Sequence, residues 1–402
     1  MASANQGIVL TIQPDHRCFT NCASPTCKAL ALNFARVHSL LRALRSRRSS
    51  IAHIRCVYDN LGDILVADAI HEMLTGANMF SCTLSKGIRV LDRTIGIQRA
   101  FKYSCLGGGT LILAPYGVGW LEAVTYFAER TTPLCTFGTG VIDPVFRAHI
   151  ASLNPQCFQI DSQTTDLWSE CLSRFRYISV RGCESKRVLS EMGLERVEII
   201  GDPALYYSRD SISPKQRGKR IGINVSRTSD FWGNSQEHVA AEFHSILKSL
   251  HQHGWKVTLF PTEAVDAELA RAICKNGLSA IEICDVYCRP ADYMARVAEQ
   301  DVFLGTKLHS VISAFCSYTP AIMVGYQPKC YDFMKTMGFE RFFVRSDQVD
   351  AEQVISLIGE MYADIETIQK EQHAACQAFR TKQLAFAAKV LASIGISPDE
   401  KS

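Results

Sequence analysis

Apolar residues fall in short runs along this chain, and most runs empty into a loop bearing glycine or aspartate. In the first half, residues 54–58, 104–106, 134–137, 177–180 and 197–200 read as strands. Apolar positions at helical spacing over 64–74 predict a helix, and 184–192 predict another. A second series follows. Strands are expected at 221–225, 255–260, 280–284, 301–304 and 321–324. Helices are expected at 237–251, 264–275, 290–299, 309–317 and about 330–337. The stretch 351–394 reads as a long helical tail packing back across both series.

Strands alternating with helices predict an α/β protein with parallel, doubly wound sheets. Two Rossmann-like halves facing a cleft is the most economical arrangement. The expected boundaries are a 1–50 extension, a first domain at 51–207 and a linker at 208–219. A second domain follows at 220–345, and a tail at 346–402. The linker is polar and holds Pro214 and Gly218. In such sheets ligands bind beyond the carboxyl ends of the strands.

Composition narrows the picture. The 402 residues are 47% hydrophobic and 21% charged, enough for two stable cores. A net charge of +3 is too small for a nucleic-acid footprint, so no nucleic-acid partner is expected. Sixteen cysteines are scattered through apolar segments with no CxxC pair, as in a reducing, cytoplasmic protein. Cys18, Cys22 and Cys27 cluster near His16, but a fourth zinc ligand at usual spacing is not evident. No apolar run is long enough for a membrane span. Residues 33–48 interleave leucines with Arg36, Arg42, Arg45, Arg47 and Arg48. Two readings stay open: a solvated surface helix, or a basic amphipathic helix making peripheral contact with an anionic membrane face.

The candidate chemistry sits at the strand ends. His309 follows an apolar strand by a short turn, near a helix N-terminus whose amides can bind an anion. Its ordinary pKa suits a general acid. Lys307 adds positive charge two residues earlier, and Lys329 closes the loop after the next strand. Arg181 ends the strand at 177–180, where a guanidinium can grip a carboxylate or phosphate through paired hydrogen bonds. Asn60-Leu61-Gly62-Asp63 follows the first strand. Asp63 can cap the next helix, bind acceptor hydroxyls or act as a base. Gly107-Gly108-Gly109 lets a ligand approach the backbone but is not GxGxxG. HExxH, GxSxG and DxD are all absent, so no metal is expected.

These pieces together resemble the polysaccharide pyruvyl transferase family. The resemblance rests on Asp59-Asn60-Leu61-Gly62-Asp63, Gly107-Gly108-Gly109-Thr110 and Phe137-Gly138-Thr139-Gly140. It continues through Ser179-Val180-Arg181, Gly201-Asp202-Pro203, Gly305-Thr306-Lys307-Leu308-His309-Ser310 and Gly325-Tyr326-Gln327-Pro328-Lys329. It covers about residues 53–340, in the family's order.

The resemblance implies a GT-B-like fold and transfer of the carbon skeleton of phosphoenolpyruvate to a sugar, usually as a cyclic ketal. It implies no cofactor, with phosphoenolpyruvate as donor and a glycan or lipid-linked sugar as acceptor. Residues needed for activity fall on Arg181, His309 and Lys329. Lys307 and Ser310 belong with the donor side, and the loops at 59–63 and 107–109 face the acceptor. The chain departs from the family at Lys307, usually arginine, and at Gly182, often acidic. Two other functions compete on the same fold: a sugar-nucleotide-dependent glycosyltransferase, and a non-catalytic glycan-binding protein.

Overall fold

The computed structural model describes residues 50–55, 60–82, 89, 92–94, 96–114, 119–153, 162–213, 217–226, 236–275 and 281–397. The basic stretch at 33–48 and the cluster of Cys18, Cys22 and Cys27 lie outside the described residues.

The first half holds strands β1 (Ser50–Ile54), β2 (Asn78–Cys82), β3 (Tyr103–Gly107), β4 (Thr110–Ile112), β5 (Thr132–Phe137), β6 (Gly140–Val141), β7 (Ile178–Val180) and β8 (Val197–Ile199). Helices α1 (Leu61–Met73), α2 (Ile97–Ala100), α3 (Gly119–Arg130), α4 (Pro144–Leu153), α5 (Ser162–Ser173) and α6 (Cys183–Glu191) connect them. The second half holds β9 (Arg220–Asn224), β10 (Lys256–Leu259), β11 (Glu282–Ile283), β12 (Val302–Gly305), β13 (Ala321–Gly325) and β14 (Phe343–Arg345). Between these strands run α7 (Gln236–Gln252), α8 (Ala264–Lys275), α9 (Pro290–Ala298), α10 (Leu308–Cys316) and α11 (Pro328–Met337). The tail is α12 (Ala351–Ala363) and α13 (Ile365–Ala392).

The second sheet has the order β11-β10-β9-β12-β13-β14, with every pair parallel. That is the doubly wound order in which the chain reverses direction between its first and fourth strands, β9 and β12. The first sheet runs β2-β1-β3-β5, also parallel. A parallel bridge from Cys135 to Tyr177 extends it toward β7 and β8. The fold is thus GT-B-like, with two Rossmann-like halves and a long helical tail.

Alternation along the strands sets the core. Ile51 and Cys105 enter a continuous apolar cluster shared with the second half, whereas Ala52, Ile54 and Leu106 face a separate cluster beneath α3. The first strand lies four residues earlier than the pattern predicts, at Ser50–Ile54. The buried polar residues His53 and Arg55 obscure its apolar signature. Helix α1 begins at Leu61 rather than Ile64, because Asn60 caps it by accepting the Asp63 N–H at 2.9 Å. Asp63 is therefore not the cap; it accepts a 3.0 Å bond from the Asn60 amide.

Helix α13 reaches both halves through glutamines. Gln369 and Gln372 donate to Tyr318 O and Thr319 O, Gln377 to Arg209 O, and Gln383 to Asp202 O at 2.7 Å. Loop carbonyls that no strand or helix satisfies find partners this way. Among the described residues, no helix is long and apolar enough to cross a membrane.

Inside the first sheet, the His53 Nε2–H donates to Gly107 O at 3.3 Å, since a carbonyl can only accept. His53 Nδ1 must then accept from the His71 Nε2–H at 3.0 Å. Burial, joined by the charge of Arg55, holds both imidazoles neutral: His53 well below its ordinary value, His71 at about 4. The unfolded chain binds protons here below about pH 6.5, while the folded chain does not. Stability is therefore fully present above that pH and is lost as the pH falls toward 4. We expect urea midpoints to drop between pH 7 and 5, and His71→Gln, which keeps a donor to His53, to flatten the slope. A midpoint independent of pH over this range would contradict the assignment.

Candidate active site

Three side chains from three segments meet between the two halves. Arg181 leaves the end of β7, Asp202 sits in the turn after β8, and His309 stands in the first turn of α10. Arg181 and Asp202 are buried, each 1% exposed. One Asp202 oxygen, Oδ2, lies 3.6 Å from Arg181 Nη1 and 3.6 Å from His309 Nε2. Its other oxygen accepts the Ala204 N–H at 3.0 Å. Arg181 Nη2 donates to Thr110 Oγ1 at 2.8 Å.

Arg181 Nε, Asp202 Oδ2 and His309 Nε2 are all buried without a partner within hydrogen-bonding distance. Three unsatisfied polar atoms at one point are costly unless something else engages them. Burial alone would raise the Asp202 carboxyl, but the charges of His309 and Arg181 outweigh it and hold the group below its ordinary value. The carboxylate thus stays ionised behind the imidazole.

The glycines of the sequence motifs make room for these side chains. A Cβ at Gly62 would overlap the His309 ring, and one at Gly140 would overlap the Arg181 guanidinium. Gly108 has φ +70, and a side chain there would also run into Val66. Gly107 lies over His53, and Gly109 O accepts from Gly140 N at 2.8 Å. The glycine-rich loop therefore carries the strand pairing beside Arg181. Gly62→Ala is expected to push His309 out of place and lower turnover by about 100-fold, since misplacements near 1 Å have that scale. An unchanged kcat in a folded Gly62→Ala protein would refute this.

Around this centre lie further groups. Burial pushes the Asp63 carboxyl up, and the charges of His309, Arg55 and Lys329 oppose that shift without cancelling it. Lys329 stands 5.1 Å over the Tyr326 ring. Lys307 pairs with Glu263 at 2.8 Å, so its charge is already engaged inside the second half. Burial would lower the Lys307 ammonium, but Tyr326, Glu263 and Asp266 outweigh it and hold it above its ordinary value. Ser310 is fully buried, and its hydroxyl donates to Lys307 O at 2.7 Å. Asn224, at the end of β9, accepts the Lys307 N–H at 2.8 Å and fixes the start of α10.

Of the residues read from sequence, the structure gathers Arg181 and His309 around Asp202, with Gly62 against the His309 ring. Asp63 feels the charges of His309 and Lys329. Ser310, Asn60 and the three consecutive glycines support the backbone. Asp202 and Gly140 are functional candidates the sequence reading passed over. The only signal for Asp202 was its place in Gly201-Asp202-Pro203 at a strand end. Among the described residues, no group of three His, Cys, Asp or Glu side chains is placed to hold a metal ion.

The family model for polysaccharide pyruvyl transferase matches residues 58–328, which span every residue of this centre except Lys329. No curated protein matches the chain. Among solved structures, the S. aureus MnaA–UDP structure is 11% identical, with TM-score 0.54, covering 88% of this chain and 99% of that one. The UDP-GlcNAc 2-epimerase of Neisseria meningitidis bound to UDP-GlcNAc is 9% identical, with TM-score 0.52, covering 86% and 100%. At these identities the likeness is one of fold.

Proposed function

The chain belongs to the polysaccharide pyruvyl transferase family, and from that premise we propose that it moves the pyruvyl group of phosphoenolpyruvate onto a sugar of a polysaccharide or lipid-linked glycan precursor, closing a ketal. The observation that supports this most is the meeting of Arg181, Asp202 and His309 between the halves, with three polar atoms left unsatisfied. Of these groups the Arg181 guanidinium can hold a compact anion, while the Asp202 carboxylate supports a proton on His309.

In this reading His309 gives its proton to the methylene carbon of phosphoenolpyruvate, leaving positive charge at C2. Asp202 stabilises the imidazolium before transfer, as an orienting carboxylate does. A sugar hydroxyl attacks C2 and loses its proton to His309, which is restored. The bond from C2 to the phosphate oxygen breaks, and the electron pair leaves with phosphate. A second hydroxyl then closes the ketal, and its proton goes to the phosphate. Lys329 and Arg181 hold the donor's anionic ends and stabilise the departing charge. Asp63, which feels the charges of His309 and Lys329, would bind the acceptor's hydroxyls rather than take a proton.

The test is phosphate release from phosphoenolpyruvate with a panel of hexosides and lipid-linked sugars. Acceptor-dependent release is expected. No release together with no phosphoenolpyruvate binding would overturn the reading, and turnover of a UDP-sugar instead would favour the glycosyltransferase alternative.

A further inference from the structure

Helix α6 starts directly after Arg181, and its N-terminal amides are capped from the other half of the molecule. Gly182 occupies the N-cap position and offers no side chain. Instead, Asp332 on α11 accepts the Glu184 N–H at 2.8 Å and the Ser185 hydroxyl at 2.7 Å. Thr336, one turn further along α11, accepts the Cys183 N–H at 2.9 Å. Lys335 adds an ion pair to Glu184 at 2.6 Å.

Gly182 has φ −149, an extended conformation open to any residue. The glycine is required by space. A Cβ there would overlap the Asp332 carboxylate and come within 2.6 Å of Thr336 Oγ1. The cap and its vacancy are thus complementary parts on two domains. Asp332 is 3% exposed. A buried carboxylate on a helix N-terminus gains from both the amide bonds and the helix dipole.

The position of this contact matters for the centre. Helix α11 carries Lys329 in the same first turns as Asp332. The adjoining Cys330 thiol is pushed up by burial, and the charges of Lys329 and Arg181 both act against that shift. Ser185, which bonds Asp332, also accepts the Val141 N–H at 3.2 Å, next to the Gly140 backbone that Arg181 crosses. A second link joins the halves next to Gly62, where Leu61 N donates to Thr262 O at 3.0 Å.

We propose that Asp332, aided by Thr336, is a positioning residue: it clasps the two halves together and sets Arg181 and Lys329 in register across the cleft. The kinetic part of this proposal rests on the pyruvyl-transfer reading; the clasp itself does not. A plain cap would serve stability alone, so the test moves the cap without the clasp. In the triple variant Gly182→Asp, Asp332→Ala, Thr336→Ala, α6 regains a local carboxylate but loses its buried hydrogen bonds to α11, while the more exposed Lys335–Glu184 ion pair stays.

Hydrogen exchange is read at Cys183, Glu184 and Ser185, and at Leu61. In Asp332→Ala all four amides are expected to exchange faster. In the triple variant, protection is expected to return at Glu184 and Ser185, the amides an N-cap carboxylate reaches, while Cys183 and Leu61 stay fast, and small-angle scattering shows a larger radius than wild type. Catalytic efficiency toward phosphoenolpyruvate in the triple variant is expected to stay about 10- to 100-fold low, chiefly in KM. Wild-type exchange at Leu61 and a wild-type radius in the triple variant would overturn the clasp, whatever the substrate proves to be. Full recovery of kcat/KM would reduce Asp332 to a cap.

Discussion

His309→Ala is expected to lower acceptor-dependent phosphate release from phosphoenolpyruvate by about 10²- to 10⁴-fold, the usual worth of a positioned general acid. The loss should fall on kcat. The side chain is 18% exposed and stands at a helix start whose backbone is held by Asn224 and Ser310 rather than by the imidazole. The variant should therefore fold. His309→Gln fills a similar volume without an exchangeable acidic proton and should be equally slow. Near-normal turnover by either variant would remove His309 from the acid role, and the remaining cations would then need another proton source.

Asp202→Asn should give the largest loss of stability among single changes at this centre. The Arg181 guanidinium donates to Thr110 Oγ1 and lies 3.6 Å from the Asp202 carboxylate. Amide for carboxylate keeps the shape, and one oxygen can still accept the Ala204 N–H. It leaves a guanidinium that is 1% exposed without a counter-charge. Breaking a buried pair from one side costs about 3–5 kcal/mol. The measurement is urea unfolding at pH 7, with turnover alongside. Asp202 is held below its ordinary value, so its contribution is present above about pH 4 and is lost as the pH falls through the lowered value. The deficit of the variant should therefore shrink at low pH. A difference below about 0.5 kcal/mol at pH 7 would show that Arg181 is compensated elsewhere.

The two effects separate in principle. His309 lies at the edge of the cluster and its loss removes chemistry. Asp202 lies at its middle, tied by its carbonyl to Gln383 of the tail at 2.7 Å. Its loss disturbs the packing of three segments at once, so the two substitutions should not be additive.

Much of this was written in the sequence. Short β-rich runs ending in glycine or aspartate, alternating with helical spacing, determine a parallel α/β architecture, because each strand must be buried on both faces and each helix on one. The same pattern places Arg181, His309 and Lys329 at strand ends, where such sheets bind ligands. Local chemistry misleads at the start of α1, where the sequence suggests Asp63 as the cap but Asn60, three residues earlier, caps the helix.

Tertiary structure alone decided the rest. The first strand was misplaced because His53 and Arg55 are buried on partners up to 54 residues away. Nothing local in the sequence says why Gly62, Gly140 and Gly182 lack a side chain, yet each leaves space that a side chain from elsewhere fills: His309, Arg181 and Asp332. Lys307 reads as a free cation until Glu263 is seen 2.8 Å away. Asp202 is a turn aspartate in sequence and the shared counter-charge of two domains in space. Periodicity is a property of neighbours along the chain, so it reports which faces are buried. Which charge meets which depends on contacts between residues far apart along the chain, from Arg181 with Asp202 and Lys307 with Glu263 inside one half to His309 with Asp202 across the two, and the last exists only once the halves close on each other.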